Sequence, residues 1–297
     1  MATAFCPAHI TGFFKAELDK KDSKQLGSLG AGFSIQKGVK TTVTIRNKTK
    51  HDISNFTIKV NGFESGDMRV SEVVLSKFPT KEKFVDVIHE IDVPVGYGFG
   101  SSAAVALSLA IALNDALECK LSKIKVAQIA HDVEIECKTG LGDVLASYYG
   151  GFEIRDKPGA PGIGHVQKIT LNKISIIMIC FSPISTSKFI KERLPRINGL
   201  GGKMVNKLLE SKNYEHFQEM SLEFAKYVDV MTPRMQKVVN ELSKNNIKCG
   251  IALFGETIFS MIPKENENKI LKILEKYSDG IIIKSELDDT GARVLYN

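Results

Sequence analysis

The stretch PVGYGFGSSAAVALSLA, Pro94 to Ala110, decides how this chain is read. Glycine stands at alternate positions, Gly96, Gly98 and Gly100, where backbone without Cβ atoms can approach a ligand and present successive N–H groups. Ser101 and Ser102 then open a run of small and apolar residues that predicts a core helix starting at Ser101, with serine as its expected N-cap. The unpaired N–H groups at a helix N-terminus carry about half a positive charge and favour an anion. The segment therefore reads as a phosphate cradle, against the blander alternative of a glycine-rich turn before an ordinary helix. It is not a P-loop, because no Gly-Lys-Ser/Thr follows, and the dinucleotide fingerprint fails at its third glycine.

Outward from the cradle, SKIKVAQIAHDVEIECK (Ser122 to Lys138) predicts a second helix, with Ser122 as N-cap and Val126, Ile129, Val133 and Cys137 on one face. Before the cradle the chain reads as strands and turns, with runs such as TTVTIRNK (Thr41 to Lys48) and FTIKVNG (Phe56 to Gly62) bounded by Gly, Asn and Asp. After it, GGFEI predicts a strand and KPGAPGIGH a long turn near a domain edge. The remainder runs as ISIIMICF (Ile174 to Phe181), helical stretches from about Ser187 to Asn245, the strands GIALF and TIFSMI around Gly255, the amphipathic helix ENKILKILEKY, and the strand GIIIK. That order is the one a ferredoxin-like split βαβ unit requires.

The residues from Pro94 to Ala104 resemble the second motif of the GHMP kinases, Pro-x-x-x-Gly-Leu-Gly-Ser-Ser-Ala-Ala, with Phe99 in place of leucine. The resemblance implies an α+β fold of two domains. A ribosomal-S5-like N-terminal domain would span 1–165 and a ferredoxin-like C-terminal domain 166–297. It implies ATP as phosphate donor, with Pro94, Gly96, Gly98, Gly100, Ser101, Ser102 and Ala103 around the phosphates, and Mg²⁺ held by Ser102 and a helical glutamate, here Glu134. It implies a catalytic aspartate in the turn TGLGDVLASYYGG, which is Asp143, and a late glycine turn closing over the phosphates, for which Gly255 in KCGIALFGETIF is the candidate. It places the adenine pocket before the cradle, near Val70 to Ser76, and carries the expectation of a homodimer.

The chemistry of the three central residues agrees. Mg²⁺ takes a few hard oxygens together with phosphate and water, so one hydroxyl and one carboxylate beside a phosphate cradle suffice. Phosphoryl transfer relies on positioning and charge neutralisation more than on a strong base, and a carboxylate in a glycine turn can orient the attacking hydroxyl. Read alone, Asp143 is equally an N-cap before VLASYY, and Glu134 a solvated helix residue.

Within this superfamily, CPAHITGFF, GSLGAGFSI (Gly27 to Ile35), AHDVEIECKTGLGDVLASYYGGFEIR and the late CGIALFGETIF are similar to the archaeal pantoate kinases. His9 stands where most GHMP kinases have a lysine or arginine, a departure that weakens a mevalonate assignment. The resemblance implies phosphorylation of the 4-hydroxyl of (R)-pantoate on the route to coenzyme A, with Ser28, His131 and Arg155, and His9 beside them, as acceptor-binding positions. Pantoate needs a cation, polar partners and an apolar wall, and Arg155 can grip its carboxylate in bidentate fashion. His131 lies three residues before Glu134 on the same helix; its alternative is a satisfied buried histidine, as a surface arginine is for Arg155 and a loop serine for Ser28. Homoserine, mevalonate or shikimate as acceptor, or a non-catalytic GHMP-fold sensor, are the competing readings. Retention of Ser102, Glu134 and Asp143 together counts against the sensor.

Composition excludes other classes. The 297 residues are 43% apolar and 25% charged, which suits roughly two globular domains and needs neither disulfides nor a structural metal. Five scattered cysteines without a Cys-x-x-Cys spacing read as reduced thiols. The net charge of +6 is dispersed among acids and lacks an aromatic-basic platform, so nucleic acid is not expected as a partner. The longest apolar run, Ala103 to Leu113, is far short of the roughly 20 residues that span a bilayer, and MATAFCPAHITGFF lacks the pattern of a secretory signal. A cytoplasmic protein without a membrane partner is expected.

Overall fold

A computed structural model describes residues 1–63, 67–184 and 186–296. The chain opens with a long antiparallel hairpin of β1 (Ala2–Glu17) and β2 (Gly27–Asn47), joined through a 3-10 turn at Ser23–Gln25 that Asp22 caps. β3 (Phe56–Gly62), α1 (Arg69–Ser76) and β4 (Lys83–Ile91) follow, with β3 parallel to β4 and β4 antiparallel to β2. Three helices come next: α2 (Ser101–Ala116), α3 (Lys123–Cys137) and α4 (Asp143–Tyr149). β5 (Phe152–Lys157) then pairs with Gly30–Phe33 of β2, and β6 (His165–Ile169) pairs with β5.

The second sheet is built from β7 (Ile174–Pro183), α5 (Thr186–Ser211), α6 (Tyr214–Tyr227), α7 (Pro233–Lys244), β8 (Gly250–Ala252), β9 (Gly255–Pro263), α8 (Glu267–Leu274) and β10 (Ile281–Glu286). Its strand order is β10-β7-β9-β8, the ferredoxin-like arrangement that the element order requires. β11 (Arg293–Leu295) then returns to the first sheet and pairs with β1, giving β11-β1-β2-β4-β3. Two sheets with helices packed on them make the α+β fold expected from the sequence.

Both faces of β7 are covered, which is why ISIIMICF is apolar without alternation. Ile176, Met178 and Cys180 face the main core, whereas Ile177, Ile179 and Phe181 join Val238, Leu242, Ile251, Ile258, Ile270 and Ile273 under α7 and α8. The sheets meet through aromatic rings. Phe217 of α6 lies 5.1 Å from Phe152, 5.8 Å from Phe13 and 5.7 Å from Phe259, and Phe33 meets Phe259 edge to face at 5.0 Å. α2 is buried nearly all round against β1, β2, α1 and α3.

Three local expectations change. α1 is a helix where strands and turns were expected; its Val74 and Leu75 are buried in the main core, so tertiary packing outweighs the β-branched character of RVSEVVLS. Ser101 is the first helical residue of α2 and not its cap, because Gly100 takes the cap position in the left-handed conformation at φ +56°. The turn in KPGAPGIGH connects β5 to β6 inside the first sheet and docks on the Ser23–Gln25 turn through Ala160 N–H to Lys24 O. Ser122 caps α3 as expected, accepting from Lys125 N–H. The cysteines are all free thiols, and among the described residues no helix is long and apolar enough to cross a membrane.

Candidate active site

The cradle lies along a cavity of about 630 Å³ between the two sheets, lined by Thr11, Val95, Gly96, Gly98 to Ser102, Lys138, Thr139, Asp143 and Phe254 among others. Its backbone shape depends on glycine. Gly98 sits at φ +86°, and a Cβ there would fall 2.4 Å from Leu253 O; one at Gly100 would meet His9 O at 3.2 Å and the Asp143 side chain at 3.3 Å. No side chain caps α2, so its first N–H groups are free to face an anion in this cavity. Of the expected phosphate-side residues, Gly96, Gly98, Gly100, Ser101 and Ser102 line the cavity. Pro94 and Ala103 are buried beneath it and support it as packing residues.

Gly255 packs against the cradle backbone. A Cβ there would lie 2.2 Å from the backbone of Tyr97, and Thr257 Oγ1 donates to Tyr97 O at 2.8 Å. The start of β9 thus grips the outside of the cradle, and its neighbour Phe254 is what reaches the cavity. Lys138, in the left-handed conformation at the end of α3, supplies the one basic side chain of the lining among the described residues.

Ser102 Oγ stands 3.4 Å from Glu134 Oε2, and Thr139 Oγ1 donates to Glu134 Oε1. Glu134 is buried, and among the described residues its bonds are to hydroxyls and to no cation. Burial, with the nearby Asp143 charge, pushes its carboxyl up to about 7 against the two hydroxyl bonds. Buried, oxygen-only and lacking a counter-charge, this pair fits a divalent cation that takes its remaining ligands from phosphate and water.

Behind the cavity lies a set of charges that is buried except at Asp143, which reaches the cavity. His9 Nδ1 meets Asp143 Oδ1 at 2.8 Å and His9 Nε2 meets Glu153 Oε1 at 2.9 Å, so both ring nitrogens face carboxylates and the ring is held as an imidazolium. Burial alone would lower the proton affinity of His9, but the bonds to Asp143 and Glu153 outweigh it and leave the net shift upward. The Asp143 carboxyl is likewise pushed up by burial, yet ends below the ordinary range because His9, Arg155 and Thr11 stabilise its charge. Arg155 bonds Glu153 Oε1 as well, so two cations and two anions balance. His9 lines no described cavity. The expected substrate contact is therefore replaced by a position behind Asp143, because the imidazole has no exposed surface.

Ser28 and Arg155 do converge with Asp143. They line a narrow cleft of about 10 Å³ together with Thr11, Phe14, Gly140 to Gly142, Ile190 and Phe254. Arg155 is 1% exposed and its Nε has no hydrogen-bond partner, an orphaned donor at the edge of this cleft. The cleft shares Thr11, Asp143 and Phe254 with the cradle cavity, and Gly140, Leu141 and Ile190 with an apolar chamber of about 880 Å³. His131 does not join them: its Nε2 donates to Ser23 O at 3.1 Å, and burial lowers its proton affinity. The satisfied buried histidine is the reading that fits, and it braces the turn leading into Ser28. Thr11, Thr139, Glu153 and Phe254 were missed from the sequence; Thr11, two residues after His9 in the alternation of β1, was the one with a local signal.

Comparison with known proteins bears on this site. The GHMP kinases N-terminal domain profile matches residues 68–151, which contain the cradle, Glu134 and Asp143. A pantoate kinase of Methanocaldococcus jannaschii is 34% identical over 277 residues, covering 91% of this chain and 96% of that protein. The chain belongs to the pantoate kinase family. A second pantoate kinase, from Thermococcus kodakarensis, is 29% identical and covers 91% of each chain. A solved structure described as a phosphotransferase related to the coenzyme A biosynthesis pathway superimposes with a TM-score of 0.88 at 28% identity, covering 98% of this chain and 97% of that one. A homoserine kinase from Cytophaga hutchinsonii, at 19% identity and a TM-score of 0.67, shares the fold. As a pantoate kinase family member the chain is an enzyme of the GHMP kinase class, whose members use ATP.

Proposed function

We propose that this protein transfers the γ-phosphate of ATP to the 4-hydroxyl of (R)-pantoate, as a cytoplasmic enzyme acting on small molecules. The observation that carries the acceptor is the narrow cleft, where Ser28, Asp143 and the unpartnered Nε of Arg155 meet at the end of the cradle cavity. Its side chains suit a small carboxylate with two hydroxyls and a gem-dimethyl carbon: Arg155 for the carboxylate, Ser28 for a hydroxyl, and Phe14, Leu141, Ile190 and Phe254 as the apolar wall; the cleft itself has room for about one water, so the body of the acceptor extends into the adjoining chamber. The continuous chamber beyond Ile190 gives the acceptor a way in.

In this reading the cradle N–H groups and the α2 N-terminus hold the phosphates, with Lys138 as the side-chain cation. Ser102 and Glu134 would hold Mg²⁺, which would supply neutralisation of phosphate charge. Asp143, kept ionised by His9, orients the acceptor hydroxyl and takes its proton as the bond from that oxygen to the γ-phosphorus forms and the bond from phosphorus to the ADP oxygen breaks. The expected division at 165 would cut β6, so the first sheet runs on through Ile169 and takes back β11 at the end of the chain; a homodimer belongs to the same reading and is checked by sedimentation.

The test is ADP release by the purified protein with ATP and Mg²⁺ against pantoate, pantothenate, homoserine, mevalonate and shikimate, with product mass recorded. Turnover confined to pantoate, with one phosphate added, is expected. Turnover on another acceptor overturns the acceptor assignment, and ATP binding without turnover on any favours the sensor.

A further inference from the structure

Glu153 has no solvent-exposed surface and sits in β5 facing β1 and β2. Each of its carboxylate oxygens is committed. Oε1 accepts from His9 Nε2 at 2.9 Å and from Arg155 Nη1, while Oε2 accepts from Gly32 N–H at 3.1 Å. The site is moulded around it: a Cβ at Gly32 would fall 2.5 Å from His9 Nε2 and 2.3 Å from Ile10 O, so only glycine lets the three strands close there. On its other side His9 holds Asp143, and its backbone N–H donates to Phe99 O in the cradle at 3.0 Å.

We propose that Glu153 is a positioning residue for phosphoryl transfer, one buried carboxylate that fixes Asp143 through His9 and, through Arg155, the cation that receives the acceptor. The 3.3 Å approach of Arg155 Nη1 to His9 Nε2 follows from this, since both donors share the same oxygen and neither can accept from the other. A surface or paired structural carboxylate would hold one partner. Glu153 holds two, and those two address opposite ends of one substrate. The spacing between hydroxyl-orienting carboxylate and carboxylate-binding guanidinium is thereby set by a single side chain, and phosphoryl transfer depends steeply on that kind of alignment. The groups facing His9 are Asp143 on α4, Glu153 and Arg155 on β5, and Thr11 on β1, so removing the Glu153 charge leaves one anion and one cation beside the ring.

The part concerning Arg155 rests on the proposed acceptor; the part concerning His9 does not. The experiment uses the full-length protein as wild type, Glu153→Gln and Glu153→Asp. It measures nucleotide binding, kcat and acceptor KM against pH, and the titration of the His9 ring nitrogens by NMR, which requires no substrate. In Glu153→Gln we expect nucleotide binding retained, kcat down on the order of 10- to 100-fold, and acceptor KM raised. The His9 midpoint and the alkaline limb of kcat should both fall, since one of two stabilising anions is gone. Glu153→Asp, which keeps the charge on a shorter arm, should recover part of the His9 midpoint but less of kcat. A nucleotide-binding Glu153→Gln protein with the wild-type His9 midpoint overturns the proposal. If Glu153→Gln does not fold, Glu153→Asp decides, and a wild-type pH profile and acceptor KM in it overturn the proposal. Wild-type turnover on an acceptor other than pantoate removes the proposed substrate and leaves the His9 measurement standing.

Discussion

A Cβ built on Gly142 would fall 2.3 Å from Ser28 Oγ and 2.9 Å from Arg155 Nε. The turn before α4 thus presses backbone directly against both candidate acceptor contacts. Gly142→Ala should raise the acceptor KM about tenfold or more while leaving the ATP KM within about twofold, since a methyl group there fills the cleft and not the cradle. Initial-rate kinetics with each substrate varied checks this, and an ATP KM that rises in parallel would refute the division of the site.

Asp143→Asn keeps the size of the side chain and the bond from His9 but removes the charge. We expect kcat to fall by about 10² to 10⁴ with nucleotide affinity nearly intact by calorimetry. Undiminished turnover would remove Asp143 from the mechanism.

Glu134 gives a prediction in which stability and activity move in opposite directions. Its folded carboxyl takes up a proton at about 7, above the ordinary 4.5, so without metal the fold loses stability as pH rises between those values. Glu134→Gln leaves Ser102 and Thr139 as hydrogen-bond partners and removes the buried charge. At pH above 7 and without divalent cation, the variant should melt higher than wild type by roughly 2–4 °C, while losing Mg²⁺-supported turnover. A lower melting temperature in the metal-free variant would mean that the buried carboxylate is compensated by something other than a cation.

Lys138→Met removes the basic side chain of the cradle cavity without touching the core, because this lysine is exposed at the end of α3. The ATP KM should rise about three- to tenfold, less at high salt, as screening of an exposed charge requires, and the acceptor KM should rise less, since Lys138 also stands at the edge of the acceptor's chamber. Salt-independent loss would point to altered packing of the Lys138 turn.

The parts of the molecule that were legible share one property: their signal is local. The order of strands and helices after Ile174 dictates its sheet, and Gly96 to Ser102 announce within seven residues the glycine-rich turn and helix start that line the cavity. The illegible parts are long-range. Glu153 in GGFEIR looks like the polar face of a strand, and what makes it buried is a histidine 144 positions earlier. His131 shares a helix with Glu134, as its spacing says, yet the turn at Ser23 occupies its ring, and nothing near residue 131 encodes that turn. Gly255 stands out in the sequence as a late glycine, but its contact with Tyr97 of the cradle spans 158 positions and has no local signal.

That last contact also constrains how such enzymes can be rebuilt. Gly98 against Leu253 O, Gly255 against Tyr97 and the Thr257 bond to Tyr97 O form a lock whose key lies in the loop before α2 and whose wards lie around the start of β9. A chimera that exchanges everything beyond Ile169 between two relatives inherits a cradle cut to another protein's β9. Donor-site geometry would then change although every residue from Pro94 to Ala104 stayed the same, so the sensible unit of exchange is the cradle together with residues 252–257.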